Sequence, residues 1–157
     1  DTSSSSDLGQ QIASYAVQFV GNPYIYGGTS LTNGADCSGF VQSVFANFGI
    51  GLSRTAASQA GGGTSVSLDS LQAGDLLFYS SSGSIDHVAL YIGGGQIVHA
   101  ANSASGIIIS NAYYSTPGQQ DGTGKENMEN FSFYPYVAER EVFLYNSCCN
   151  DLLNIYL

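Results

Sequence analysis

Positive charge is scarce in this chain. Its 157 residues hold only Arg54, Lys125 and Arg140 as cations, and the net charge is −9. Phosphate recognition needs clustered Lys and Arg, so nucleic acid is not an expected partner. Anionic membranes and teichoic-acid-like polymers are repelled by the same surface. An acidic surface is compatible with a substrate carrying a free amine, although it most often serves solubility. Long apolar runs are also missing. Hydrophobic residues make up 43% of the chain, yet no run approaches a membrane span, so a soluble globular domain is expected. Cysteine is sparse: Cys37 stands alone, and Cys148 and Cys149 are adjacent near the far end. That odd set offers neither metal-ligand spacing nor a disulfide framework. Histidine occurs only at His87 and His99. There is no internal repeat, and the length suits one domain with a real core.

The chain opens D-T-S-S-S-S-D, with no basic-then-apolar leader. Residues 1–7 are read as the remnant of a flexible linker, as in a processed or excised domain. Leu8, Ile12, Tyr15, Ala16 and Phe19 then mark an amphipathic helix, closed by Gly21-Asn22-Pro23. Tyr24 and Tyr26 follow in a short aromatic stretch. In an extended segment they share a face, and Tyr26 either presents its hydroxyl to a site or packs as a wall residue.

The stretch A-D-C-S-G-F-V-Q-S-V-F-A-N-F-G, residues 35–49, carries the first chemistry. Phe40, Val44, Phe45 and Phe48 recur at helical spacing, Asp36 is a good N-cap, and Gly49 is a stop signal. Cys37 therefore falls in the first turn of a helix with a buried body. There it feels the positive end of the helix dipole, which favours the thiolate. Ser38 and Gly39 are small enough to admit a substrate backbone. A small buried Cys packing in the core is the bland alternative. Beyond Gly49, a short helix is expected over Arg54–Ala60 with Ser53 as its cap, and a strand over Leu76–Tyr79.

A hairpin comes next: H-V-A-L-Y-I-G-G-G-Q-I-V-H-A-A. Two β-rich runs flank Gly93-Gly94-Gly95. A turn centred on Gly93 sets His87 directly opposite His99, with Cβ atoms roughly 4.5–5.5 Å apart. A one-residue slip would send the two rings to opposite faces. Gly106–Ser110 reads as another strand, Asn111–Tyr136 as a long covering loop, and Val137–Tyr145 as a last strand. The domain is expected to end there, with residues 146–157 as a tail.

Cys37, His87 and His99 together supply three roles. A cysteine nucleophile needs a base to take its proton, and that base needs a polar group to fix its ring and tautomer. His87 suits the base and His99 the orienting group. Asp86 is rejected as third member, because neighbouring strand residues point to opposite faces. Two alternatives stay open at this point. Each His could be an ordinary packed or surface residue, or zinc could take one thiolate and two imidazoles.

Five blocks also resemble the NlpC-type family of papain-like cell-wall peptidases: Tyr24–Gly28 (Y-I-Y-G-G), Asp36–Gly39 (D-C-S-G), Leu71–Phe78 (L-Q-A-G-D-L-L-F), His87–Gly93 (H-V-A-L-Y-I-G) and Ile97–Ala100 (I-V-H-A). They occur in family order and cover residues 8–145. The resemblance implies an α+β, papain-like fold in which a Cys-bearing helix packs on a central antiparallel sheet carrying both His. It implies hydrolysis of peptidoglycan stem peptides, typically between D-γ-glutamate and a diamino acid (meso-diaminopimelate or L-Lys). It makes Cys37 the nucleophile, His87 the base and His99 the third member. Tyr26 would lie beside the thiol, while Asp36 and Ser38 would help hold the substrate, in some relatives through a free N-terminal amine. No metal or organic cofactor is needed. A secreted or wall-associated monomer is expected, with any wall-targeting domain elsewhere in a longer protein. The chain departs from the family where Pro-Arg is replaced by Ser53-Arg54, and where a common Ser is Ala56. An acyltransferase of the same superfamily and a non-catalytic wall-binding module are the other readings.

Overall fold

The computed structural model describes residues 2–80, 84–112 and 134–137. Helix α1 runs Thr2–Val17. It therefore begins before Leu8, and residues 2–7, expected to be linker, are helical. Serine has only a modest helix penalty, so a packed helix can extend through it. Ile12, Ala13 and Ala16 are the buried face of α1, as the apolar spacing predicts.

Two short paired strands follow, β1 (Thr29–Ser30) and β2 (Gly34–Ala35). They deliver the chain to helix α2, Cys37–Ala46. Asp36 caps α2: its backbone is extended and its side chain accepts from Gly39 N–H. Phe40, Val41, Val44 and Phe45 are fully buried. Helix α3, Ala56–Gly61, starts later than expected. Its cap is Thr55, whose hydroxyl accepts from Ser58 N–H. Ser53 and Arg54 thus stay outside the helix, and Arg54 is released to reach elsewhere.

The sheet comprises β3 (Thr64–Ser65), β4 (Leu76–Ser80), β5 (Ile85–Gly93), β6 (Gln96–Asn102), β7 (Gly106–Asn111) and β8 (Tyr134–Val137). A 3-10 turn at Leu68–Ser70 precedes β4. The spatial order is β3-β8-β4-β5-β6-β7, with antiparallel neighbours throughout. The fold is therefore α+β. The last strand begins three residues before Val137; Pro135 inside the run hid it, since proline argues against strand. Residues 113–133 of the expected loop, residues 138–145 and the 146–157 tail with Cys148 and Cys149 lie outside the described residues.

The β5–β6 turn passes through Gly93, Gly94 and Gly95, with φ of +93°, +62° and +75°. Three successive left-handed residues need glycine. Leu90 pairs with Val98 and Tyr91 with Ile97. The turn is thus centred on Gly94, not Gly93. His87 and His99 are diagonal neighbours, not directly opposed. The shift is two residues, so the pleat keeps both rings on one face.

Both faces of the sheet are covered. Leu76, Phe78, Val88, Leu90, Val98, Ala100 and Ile107 join the main core under the helices. Leu77, Tyr79, Ala89 and Ile97 form a second cluster on the reverse. Strand alternation puts His87 and His99 with this second set. Helix α2 packs across β5 and β6, and its first residue reaches the sheet at the β5 backbone.

Candidate active site

The helix start is fixed by Asp36. Its Oδ1 accepts from Gly39 N–H at 2.7 Å and from Arg54 Nη1 at 2.9 Å. Its Oδ2 accepts from Gly27 N–H at 2.9 Å and from Arg54 Nη2 at 2.8 Å. Arg54 also donates to Ser38 Oγ at 3.0 Å. Burial acts to raise the Asp36 pKa, but Arg54 and the two amides outweigh it and hold the carboxyl below its ordinary value. Its hydrogen bonds to Asp36 raise the Arg54 pKa in turn. Gln59, buried on α3, donates from Nε2 to Ser38 O at 3.0 Å and to Ser53 O at 2.8 Å. A salt bridge, a cap and an amide clamp therefore converge on the turn that carries Cys37.

Gly39 has a steric reason to be glycine. A Cβ there would collide with Gly28 O and stand 2.9 Å from Asp36 Oδ1. The helix start is pressed that closely onto the Gly28 loop.

Cys37 is a free thiol, half-buried. Burial raises its pKa. The backbone N–H groups of Val88, Ser38 and Cys37 itself pull the other way, and the Asp36 charge adds to the rise. The amides at the helix start act on the sulfur in the expected direction, but desolvation is the larger effect and the thiol pKa is raised overall. The amide that binds it, Val88, is the residue after His87.

His87 Nε2 lies 2.7 Å from His99 Nδ1. The rings meet edge to face, with centroids 5.0 Å apart and planes at 75°. On its other side His87 packs against Tyr79 at 5.9 Å, and Tyr79 Oη is anchored to Ala112 O at 2.8 Å. His99 Nε2 is 3.0 Å from Ser110 Oγ. Burial lowers the His87 pKa to about 4, against a smaller opposing effect of Asp86. Burial, then His87, lowers the His99 pKa to about 3. Both rings are neutral near pH 7. A direct bond between the facing nitrogens also leaves no space for a zinc ion between them.

Tyr26 is 90% exposed, so it is not a packing residue. Tyr24, which the sequence did not single out for the site, is the ring near the thiol. Burial raises its pKa first, and Cys37 and Asp36 add to the rise. Asp36 and Ser38 are buried at 8% and 6% exposure, with oxygen atoms committed to internal partners. Arg54, Gln59 and Ser110 were not predicted for the site. Ser53-Arg54 was noticed only as a departure from a family pattern, while the other two give no signal in sequence.

The model of the NlpC/P60 family matches residues 21–122. The gamma-D-glutamyl-L-lysine dipeptidyl-peptidase of Bacillus subtilis (strain 168) is 45% identical over 94 residues, covering 58% of this chain and 31% of that protein. From the same organism, the bifunctional muramidase/DL-endopeptidase CwlT is 37% identical over 102 residues, covering 63% and 31%. The chain therefore spans about a third of these curated relatives. Among solved structures, the NlpC/p60 domain of peptidoglycan hydrolase SagA aligns with a TM-score of 0.63 at 34% identity, over 70% of this chain and 94% of that one. The family model covers well over half of the chain and the SagA domain shares its fold: the chain belongs to the NlpC/P60 family.

Proposed function

We propose that this domain is a cysteine endopeptidase that cuts peptidoglycan stem peptides after γ-linked D-glutamate, before meso-diaminopimelate or L-Lys, through a thioester on Cys37. The observation that carries the reading is the buried 2.7 Å bond between His87 and His99, beside the strand amide that holds the Cys37 sulfur. The relatives named as γ-glutamyl peptidases and DL-endopeptidase support the bond chosen. Secretion or wall association follows from a substrate outside the cell. Among the described residues no helix is long and apolar enough to cross a membrane.

The mechanism follows from the neutral resting pair. As the Cys37 sulfur attacks the carbonyl carbon, its proton moves to His87 Nδ1, the nitrogen that His99 leaves unused. The oxyanion is met by backbone N–H groups at the start of α2, which have no partner within the helix. His87 then gives the proton to the leaving amine, and the C–N bond breaks. In the second half His87 deprotonates water, which attacks the thioester and restores the thiol. His99 orients His87 throughout. Tyr26, exposed in the segment before α2, would contact the peptide. Asp36 and Ser38 shape the floor that the peptide meets.

The test is a mass-spectrometric time course on L-Ala-γ-D-Glu peptides extended by diaminopimelate or L-Lys, each with a free or blocked amine. Cleavage after D-Glu that disappears in Cys37→Ala is expected. Transfer of the acyl half to an added amine in place of water would make the domain an acyltransferase. No turnover on any peptide, with an inert Cys37, would leave only a binding module.

A further inference from the structure

The two histidines are not the end of their hydrogen-bonded chain. His87 on β5, His99 on β6 and Ser110 on β7 form a diagonal across three adjacent strands, on the face opposite the α2 core. Ile97 pairs with Ser110 and His99 with Ile108, so the hydroxyl approaches the ring from the diagonal position, as His99 approaches His87.

A neutral imidazole has one N–H, which limits the chain to two states. In one state His87 Nε2–H donates to His99 Nδ1, and His99 Nε2–H donates to Ser110 Oγ. His87 Nδ1 is then bare and can take the thiol proton. In the other, every donor is reversed: Ser110 Oγ–H donates to His99 Nε2, His99 Nδ1–H donates to His87 Nε2, and His87 Nδ1 is already protonated. That second state cannot act as a base. Only the first also survives proton transfer, because a doubly protonated His87 must donate from Nε2.

We propose that Ser110 is a positioning residue that holds His99 as the Nε2–H tautomer, and so keeps His87 Nδ1 open to the Cys37 proton. The rate consequence rests on the peptidase reading above; the tautomer itself does not. Without the hydroxyl, the first state leaves the His99 Nε2–H with no acceptor among the described residues. The second leaves only a bare ring nitrogen. Orphaned buried N–H groups are the rarer and more costly of the two, so the balance tips toward the blocked state. No proton leaves His99 during the reaction; Ser110 only accepts.

The experiment uses the whole chain, uniformly labelled with nitrogen-15. Its two histidines give just two imidazole patterns in long-range nitrogen–proton spectra, assigned by replacing His99 with Gln. In the wild type His99 is expected as Nε2–H. In Ser110→Ala a large share of the ring should pass to Nδ1–H, and Ser110→Thr, which keeps the hydroxyl, should restore it. On stem peptides Ser110→Ala should lose about tenfold in kcat with KM little changed, and Ser110→Thr should recover most of it. A His99 ring that stays Nε2–H in Ser110→Ala overturns the proposal, whatever the rate does. A tautomer shift in a protein that cleaves nothing would uphold Ser110 and sink the peptidase reading.

Discussion

His87 and His99 sit diagonally across β5 and β6, yet their facing nitrogens are only 2.7 Å apart. Diagonal residues on one face have Cα atoms about 7–8 Å apart, within reach of two imidazoles. The pair is buried, with His87 at 7% and His99 at 3% exposure, and burial is what keeps both rings uncharged.

That burial makes stability depend on pH. Unfolded rings protonate near the ordinary value of 6.5, while the folded rings stay neutral until about 4 for His87 and about 3 for His99. Over this window the unfolded chain binds more protons, so stability falls as pH falls from 6.5. Urea midpoints should drop steadily on acidification below 6.5. In His99→Gln the slope above pH 5 should fall to about half, because one titrating group is gone. A slope equal to the wild type's would show that the rings are not responsible.

The raised thiol pKa predicts slow alkylation. In a Cys148→Ser/Cys149→Ser background, iodoacetamide should label Cys37 slowly at neutral pH and progressively faster above 9, the ordinary thiol value against which the rise is measured. A plateau of high reactivity reaching down below pH 6 would mean a resting thiolate–imidazolium pair instead.

Arg54 and Asp36 form a two-pronged ion pair under the turn that carries Cys37. Arg54→Ala leaves the buried carboxylate with only its two amides and the Ser38 hydroxyl. Unfolding free energy should fall by about 1–2 kcal/mol, discounted for the partly exposed arginine. In an Asp36→Asn background the same replacement should matter much less, which a double-mutant cycle in urea would read. Additive effects would mean that the pair contributes nothing of its own.

Gly39→Ala sets helix propensity against space. Alanine favours helix, but its Cβ would strike Gly28 O. Sterics should win, with a loss of about 1–3 kcal/mol typical of overpacking. Turnover should also fall, since the Cys37 turn must shift. Thermal unfolding and peptide cleavage measured together would check both, and a variant more stable than wild type would show that the loop gives way freely.

Much of this site was legible in sequence because it rests on local rules. Asp36 caps where a cap was expected, the Phe40–Phe45 stripe is buried as its spacing predicts, and the glycine turn brings two histidines to one face. The two-residue register shift kept the parity of the strands, so the rings met despite the misplaced centre. What escaped depends on long-range contacts. Arg54 reaches Asp36 across eighteen residues, Gln59 reaches Ser38 across twenty-one, and Ser110 reaches His99 from the next strand. The thiol pKa escaped for a related reason: a helix terminus can be read from sequence, but the depth of burial that opposes it cannot. Tyr24 and Tyr26 look alike in an aromatic stretch, and only the folded chain shows Tyr26 to be 90% exposed.

The most direct measurement is to quench the protein in acid within one turnover of an L-Ala-γ-D-Glu peptide and map its mass by proteolysis. The expected result is one added L-Ala-γ-D-Glu acyl group on the fragment containing Cys37, removed by hydroxylamine and absent in Cys37→Ala. Cleavage that proceeds at wild-type rate in Cys37→Ala, with no adduct on any fragment, would contradict a thioester mechanism at this site.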